Sequence, residues 1–91
     1  MGAQDFQNRA KGKTAVEAFA RITEQARYEH GHGGYTGTIA EKFSFVMLTV
    51  PADEDTGIFI ENWINECDKW GDAGCIQTGP DEYVFFGLAS S

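Results

Sequence analysis

Basic residues, cysteine, proline and histidine are all scarce in this chain of 91 residues. It has 7 Lys and Arg against 14 Asp and Glu, and only two each of Cys, Pro and His. The net charge of −7 argues against nucleic-acid binding, which needs a basic face to neutralise phosphates. The spacing of the two cysteines demands neither a disulfide nor a catalytic pair. We therefore expect two reduced thiols, and helical spacing places Cys67 in the core while leaving Cys75 unassigned.

Long apolar runs are also missing. No segment approaches the ~18 apolar residues of a membrane span, and the N-terminus lacks the apolar core of a secretory signal. We therefore expect a cytoplasmic protein without a membrane partner. A single domain of this size buries only about 60–65% of the surface that its unfolded chain exposes. So small a core favours assembly into a homo-oligomer.

The acidic excess is concentrated in the second part of the chain. Residues 1–32 hold five basic and four acidic residues, whereas residues 33–91 hold two basic and ten acidic ones. Solubility explains such an excess. The alternative is an interaction surface that competes with nucleic acid for a basic partner. The acidic residues that would form it are Asp53, Glu54, Asp55, Glu61, Glu66, Asp68, Asp72, Asp81 and Glu82.

The pattern along the chain predicts a flexible segment at residues 1–13, then one α+β domain at residues 14–91. A capping box at Thr14 and Glu17 and apolar residues at helical spacing predict a helix over residues 15–29. A second helix follows Asp55 and stops at Gly71, because apolar residues again recur at helical spacing. Strands are predicted at residues 35–41, 43–50, 74–78 and 83–88, with the nearly continuous apolar run at 43–50 as a central strand.

The predicted element order is therefore α-β-β-α-β-β. Its simplest packing is a two-layer sandwich, in which a four-stranded, mostly antiparallel sheet carries both helices on one face. Two short helices cannot cover every apolar residue of such a sheet. We expect the remainder to contact another copy of the chain, drawn from Phe45, Met47, Tyr83 and Phe86.

Residues 29–38, with the sequence EHGHGGYTGT, hold four of the 11 glycines and both histidines. Glycines cluster where backbone must turn tightly or let a ligand approach. The segment lacks the Gly-Lys-Ser/Thr of a P-loop, and it follows a helix, whereas a dinucleotide fingerprint precedes one. We call it the glycine segment.

Several interpretations of the glycine segment remain open. Its histidines could bind a metal or act as a general base, and the whole segment could be only a crowded turn. We favour a non-catalytic pocket for a small nucleotide-like ligand, because cationic, stacking and hydroxyl groups lie together there. No catalytic residue, metal or cofactor is assigned. The expected ligand-binding residues are Arg27, Tyr28, His30, His32, Gly33, Gly34, Tyr35, Thr36 and Thr38.

The stretch ARYEHGHGGYTGTIAEK, at residues 26–42, resembles a motif in a family of small phage and bacterial proteins. The resemblance covers about a fifth of the chain and implies no activity by itself. Small size, acidity and a compact α+β plan are also similar to phage anti-defence proteins, several of which act as oligomeric sponges for immune-signalling nucleotides. Others in that group dock on a host protein. These similarities imply sequestration of a nucleotide signal in the host cytoplasm, with an acidic protein inhibitor or a small hydrolase as alternatives.

Overall fold

The computed structural model describes residues 3–30, 39, 42–67 and 71–90. Two helices and one four-stranded sheet confirm the predicted α+β class. Neither described helix has the length and apolar character needed to cross a bilayer. The elements in chain order are β1 (Ala3–Lys11), α1 (Ala15–His30), β2 (Phe45–Met47), α2 (Thr56–Glu66), β3 (Ala73–Gly79) and β4 (Glu82–Ser90).

The two helices begin where the sequence indicates. The Thr14 hydroxyl accepts a hydrogen bond from the backbone N–H of Glu17 at 3.1 Å, as expected for a capping box at the start of α1. At the start of α2, the Asp55 carboxylate accepts the N–H of Ile58 at 3.1 Å. The end of α1 agrees with the prediction, but α2 ends at Glu66, earlier than predicted.

The first strand corrects the prediction that residues 1–13 are flexible. β1 pairs with β4 along all nine of its residues. Phe6 and Ala10 point into the core, and each is 8% exposed. The strand is hard to recognise in the sequence because most of its other residues are polar. The folded domain therefore includes β1.

The sheet is mixed and has the strand order β1-β4-β3-β2. The predicted antiparallel pairing holds for β4 with its two neighbours, but β2 pairs parallel with β3. Parallel neighbours need a crossover connection, and α2 supplies it between β2 and β3. The element order is thus β-α-β-α-β-β in place of the predicted α-β-β-α-β-β.

The strand predicted at residues 43–50 is shorter than expected and lies at the edge of the sheet. Only Phe45–Met47 form β2, and the side chains of Val46 and Met47 are 44% and 49% exposed. The apolar run is misleading because it continues beyond the strand. Leu48 and Val50 pack against the core on the α2 side of the sheet.

The helices lie on opposite faces of the sheet, which corrects the predicted two-layer sandwich. α1 covers the face that carries Tyr83 and Phe85, and α2 covers the face that carries Ile76, Val84 and Phe86. Successive side chains of a strand point to opposite faces. The adjacent residues Phe85 and Phe86, both 0% exposed, therefore enter different cores. The domain has three layers, with the sheet in the middle.

This arrangement removes most of the apolar-face argument for a homo-oligomer. Tyr83 and Phe86 are buried within a single chain, at 6% and 0% exposure. The ring of Phe45 packs against Phe19 and Phe85, with centroids 5.0 and 5.4 Å apart. Of the four residues predicted to contact another copy, only Met47, at 49% exposure, remains available for such a contact.

Gly74 lies where β3 passes beneath the ring of Phe86. A Cβ atom on Gly74 would stand 2.6 Å from Cε2 of Phe86 and 3.1 Å from Cδ1 of Leu48. The ring has little room to retreat, because Trp63 packs edge-on against it with centroids 5.3 Å apart. Close packing between β3 and the α2-side core therefore requires glycine at this position.

We expect Gly74→Ala to lower the free energy of unfolding by about 1–3 kcal/mol, the usual cost of overpacking a core. Gly79→Ala, in the same strand, is the matched control, because its Cβ would come no closer than 3.6 Å to Glu82. Urea unfolding of both variants measures the difference. Equal stability of the two variants would contradict the packing described for Gly74.

Candidate functional site

The structure places three of the expected ligand-binding residues at the end of α1. Arg27 is half-buried, Tyr28 is 89% exposed, and His30 is the last residue of the helix. An exposed tyrosine beside a guanidinium is available for stacking on a planar ligand. The remaining expected residues lie outside the described residues, namely His32, Gly33, Gly34, Tyr35, Thr36 and Thr38.

The chain that follows the glycine segment is fixed firmly to the core. Ile39 is 0% exposed and belongs to the core beneath α1. Its carbonyl accepts the N–H of Lys42 at 2.9 Å, a hydrogen bond of the turn type. Apart from Ile39, the strand predicted at residues 35–41 lies outside the described residues.

Lys42 has a structural role at this anchor. Its side chain is 3% exposed, and its Nζ donates to the Gly71 carbonyl at 2.7 Å. Next to it, the Ser44 hydroxyl donates to the Asp72 carboxylate, and the Ser44 carbonyl accepts the N–H of Ala73 at 3.1 Å. These bonds tie the entry of β2 to the entry of β3. The Lys42 ammonium is thus directed at the backbone and not at solvent.

A cleft of about 340 Å³ opens between α1 and β1. Its position matters because its lining includes Glu29, the first residue of the glycine segment, and Ile39, the residue directly after that segment. The glycine segment therefore leaves and rejoins the described structure at this cleft. The lining residues are Gln4, Asp5, Phe6, Gln7, Asn8, Ile22, Gln25, Ala26, Glu29 and Ile39.

The lining of this α1–β1 cleft is rich in side-chain amides and lacks Lys and Arg. Each amide offers both a hydrogen-bond donor and an acceptor, so the cleft can form hydrogen bonds with the polar edges of a neutral ring. Two acidic residues, Asp5 and Glu29, belong to the lining. Alternation along β1 directs the Asp5 side chain to the other face of the sheet, so the negative charge of the cleft comes from Glu29. On the helix side, the Gln25 amide donates to the Glu29 carboxylate at 3.0 Å, which orients both groups. The cleft disfavours an anionic group inside it and accepts hydroxyl groups.

Sequence reasoning missed this cleft because half of it is built by β1. With residues 1–13 taken as flexible, their glutamines and asparagine have no partner surface. The available indication was the placement of Phe6 and Ala10 on one face of an otherwise polar strand. That pattern is typical of a half-buried edge strand. Such a strand packs against a helix and so places its amides next to α1.

A second groove, of about 500 Å³, lies between β1 and α2 on the opposite face of the sheet. Its charged lining residues are Asp5 and Glu61, so it is also negative. Other acidic residues proposed for an interaction surface have structural roles, since Asp55 caps α2 and Asp72 bonds to Ser44. Of the acidic residues proposed for an interaction surface, Glu61 lines this acidic α2–β1 groove.

Both cysteines are free thiols, as expected, but their positions differ from the prediction. Cys75 is the core residue, at 0% exposure, whereas Cys67 is half-buried at the end of α2. The Cys67 thiol donates to the Ile64 carbonyl at 3.3 Å. Burial raises the pKa of the Cys75 thiol to about 11. Cys75 therefore stays protonated at neutral pH and is a poor nucleophile.

Among residues 3–30, 39, 42–67 and 71–90, no three His, Cys, Asp or Glu side chains come together as a metal site. In comparisons with known proteins, no protein-family model matches this chain, and no significant similarity to a curated protein or a solved structure was found. The proposals below depend on the geometry and chemistry of the chain and on the resemblance of residues 26–42.

We expect iodoacetamide at pH 7.5 to alkylate Cys67 in the native protein and to leave Cys75 unmodified. Cys75 should react only after denaturation, because it is buried and its thiolate is scarce. Peptide mass spectrometry distinguishes the two sites. Labelling of Cys75 at the same rate as Cys67 in the folded protein would contradict its placement in the core.

The raised pKa of Cys75 also predicts a loss of stability at alkaline pH. The thiol ionises in the unfolded chain near its ordinary value of 9.0, but in the folded protein only near 11. The folded state therefore binds more protons in this interval, and the free energy of unfolding falls as pH rises from about 9 to 11. Urea unfolding at pH 8 and pH 10.5 should show a smaller decrease for Cys75→Ala than for the unchanged protein. An equal decrease in the two proteins would overturn this assignment.

Proposed function

We propose that this protein is a non-enzymatic binding protein that sequesters a small nucleotide-like ligand beside the glycine segment. The observation that carries the proposal is the α1–β1 cleft, whose lining includes Glu29, the first residue of that segment, and Ile39, the residue directly after it. The cleft volume of about 340 Å³ lies at the lower end of the range for small-molecule sites. It suits the nucleoside part of a ligand, with the rest extending outside.

The lining supports this placement of the nucleoside. Amides from both walls, such as Asn8 on β1 and Gln25 on α1, can bond to the donor and acceptor edge of a base. The Glu29 carboxylate can accept hydrogen bonds from ribose hydroxyls, a pairing that acidic residues make in other nucleotide sites. Phe6 and Ile22 supply apolar surface for the ring.

Electrostatics favour a phosphate position outside the cleft. The Glu29 carboxylate in the cleft lining repels a phosphate. Arg27, in the last turn of α1, is the basic residue of that helix closest to the glycine segment in sequence. A phosphate bound by Arg27 would lie near the end of α1, where the chain enters the glycine segment, and the glycine N–H groups, hydroxyls and histidines of that segment are the other proposed ligands. Tyr28 is then available to stack from outside.

Sequestration requires tight binding without turnover. The resemblance to phage anti-defence sponges supports this role and gives the ligand class, an immune-signalling nucleotide. It also places the protein in the host cytoplasm. The proposal assigns no cofactor and no catalytic residue.

Isothermal titration calorimetry against adenosine, AMP, ADP-ribose and a panel of cyclic dinucleotides tests this function. For a ligand that binds, Arg27→Ala should weaken the phosphorylated form about 10- to 100-fold, the usual worth of one charge-assisted hydrogen bond. The same change should leave binding of the nucleoside nearly unaltered. Arg21→Ala is the matched control, because Arg21 is exposed on the same helix and pairs with Glu17 at 2.7 Å.

Binding of the nucleoside in the cleft is tested separately from binding of the phosphate. Gln25→Ala should weaken nucleoside and nucleotide alike by roughly 5- to 10-fold, as for loss of one neutral hydrogen bond. Glu24→Ala, an exposed neighbour that does not line the cleft, is its control. No heat with any member of the panel, or equal effects of Arg27→Ala and Arg21→Ala, would count against the proposal.

A further inference from the structure

Among the residues that the structure describes, no strand pairs with the outer edge of β1. The strand is nine residues long, and β4 is its one neighbour among the strands that the structure describes. A strand edge of this length offers a row of N–H and C=O groups that can pair with another chain. The opposite edge is β2, which has only three residues.

The direction of the β1 backbone groups follows from one hydrogen bond. The N–H of Gly12 donates to the Asp81 carbonyl at 3.0 Å, and the register of β1 with β4 runs without a shift from this point. In an antiparallel pair, successive residues turn their backbone groups alternately toward and away from the partner strand. Even-numbered residues of β1 therefore bond to β4. The open edge carries the backbone groups of Asp5, Gln7, Arg9 and Lys11.

The side chains at these open-edge positions form a charge pattern that matches acid with base when two copies of the strand lie antiparallel. From the N-terminal end they are acid, amide, base and base, and all four are exposed. Arg9 has only a loose contact with Glu82, with Nε 3.9 Å from Oε1, and its side chain is 69% exposed. An antiparallel partner of the same sequence would bring the acidic end of each strand against the basic end of the other.

The acidic α2–β1 groove lies at the acidic end of the strand. It is lined by Asp5 and Glu61 and by no Lys or Arg. If two β1 strands pair about an axis at Gln7, Asp5 lies opposite the partner's Arg9, and the reverse contact forms by symmetry. Opposite charges placed directly across two strands attract one another, whereas like charges repel. A parallel, in-register pairing would instead align like charges.

We propose that the chain forms a two-fold dimer through antiparallel pairing of β1 with β1 of a second copy, giving one continuous eight-stranded sheet. The two-fold axis stands perpendicular to the sheet, so both copies of α1 lie on the same face. The two α1–β1 clefts then meet across the axis. Each copy thereby contributes Asn8 and Gln25 to one shared groove. Formation of this dimer depends on the geometry of β1 and not on the identity of any ligand.

Amide hydrogen exchange tests the pairing residue by residue. In a monomer, the protected N–H groups are those directed at β4, namely those of Gln4, Phe6, Asn8, Ala10 and Gly12. In the dimer, the N–H groups at the open edge become protected as well, and this protection increases with protein concentration. Analytical ultracentrifugation over the same concentrations reports the mass. A monomer at 1 mM with rapidly exchanging Gln7 and Arg9 amides would overturn the proposal.

Two sets of variants identify the interface. Gln7→Pro removes an outward N–H without touching the bonds to β4, so it should yield a folded monomer, since edge strands tolerate proline there. Arg9→Asp should raise the dimer dissociation constant at least about 10-fold through repulsion by the partner's Asp5. The double change Asp5→Arg with Arg9→Asp should restore it.

The control is Arg21→Asp, which makes the same charge change on an exposed face of α1 away from β1. It should leave the dimer unaltered. A dimer that persists in Gln7→Pro, or that responds equally to Arg9→Asp and Arg21→Asp, would show that the copies associate through another surface.

Discussion

Two adjacent phenylalanines on β4 set the architecture of this domain. Phe85 and Phe86 are both 0% exposed, and a strand directs them to opposite faces of the sheet. Each face must therefore be covered, and a chain of 91 residues has only one described helix for each. α1 covers Phe85 and α2 covers Phe86. The three layers, the crossover through α2 and the parallel pairing of β2 with β3 all follow from that requirement.

The sequence predicts those elements whose structure depends on local interactions. The Thr14 and Asp55 caps, the helical spacing of α1 and the β3–β4 hairpin are all encoded within a few residues. Which helix covers which face of the sheet is not encoded locally. Alternation along β4 shows only that both faces are apolar. The sequence pattern is misleading at β1 and at β2, for opposite reasons. A polar strand is buried on one face by pairing with β4, and an apolar run lies at the edge, where only part of it is covered.

The candidate site shows the same division. The sequence locates Arg27 and Tyr28 at the end of a helix, because that depends on helical periodicity alone. It does not reveal the α1–β1 cleft, whose amides come from residues 4–8 and from Gln25, far apart in the chain. Likewise, spacing suggests Cys67 as a core residue, whereas the register between β3 and β4 buries Cys75. Long-range pairing decides each of these placements, and a single sequence carries no direct record of it.

Charge links the binding site to the open sheet edge. The clefts on both sides of β1 are negative, and Asp5 lines both of them. An anionic ligand can use such a site only if its neutral part enters and its phosphates remain near Arg27. A cationic surface, in contrast, fits the acidic α2–β1 groove directly, and this chain carries one on its own β1 at Arg9 and Lys11. The acidic groove, which first suggested a foreign basic partner, would in the proposed dimer contact the basic end of a second copy, and that copy would also close the open side of the α1–β1 cleft.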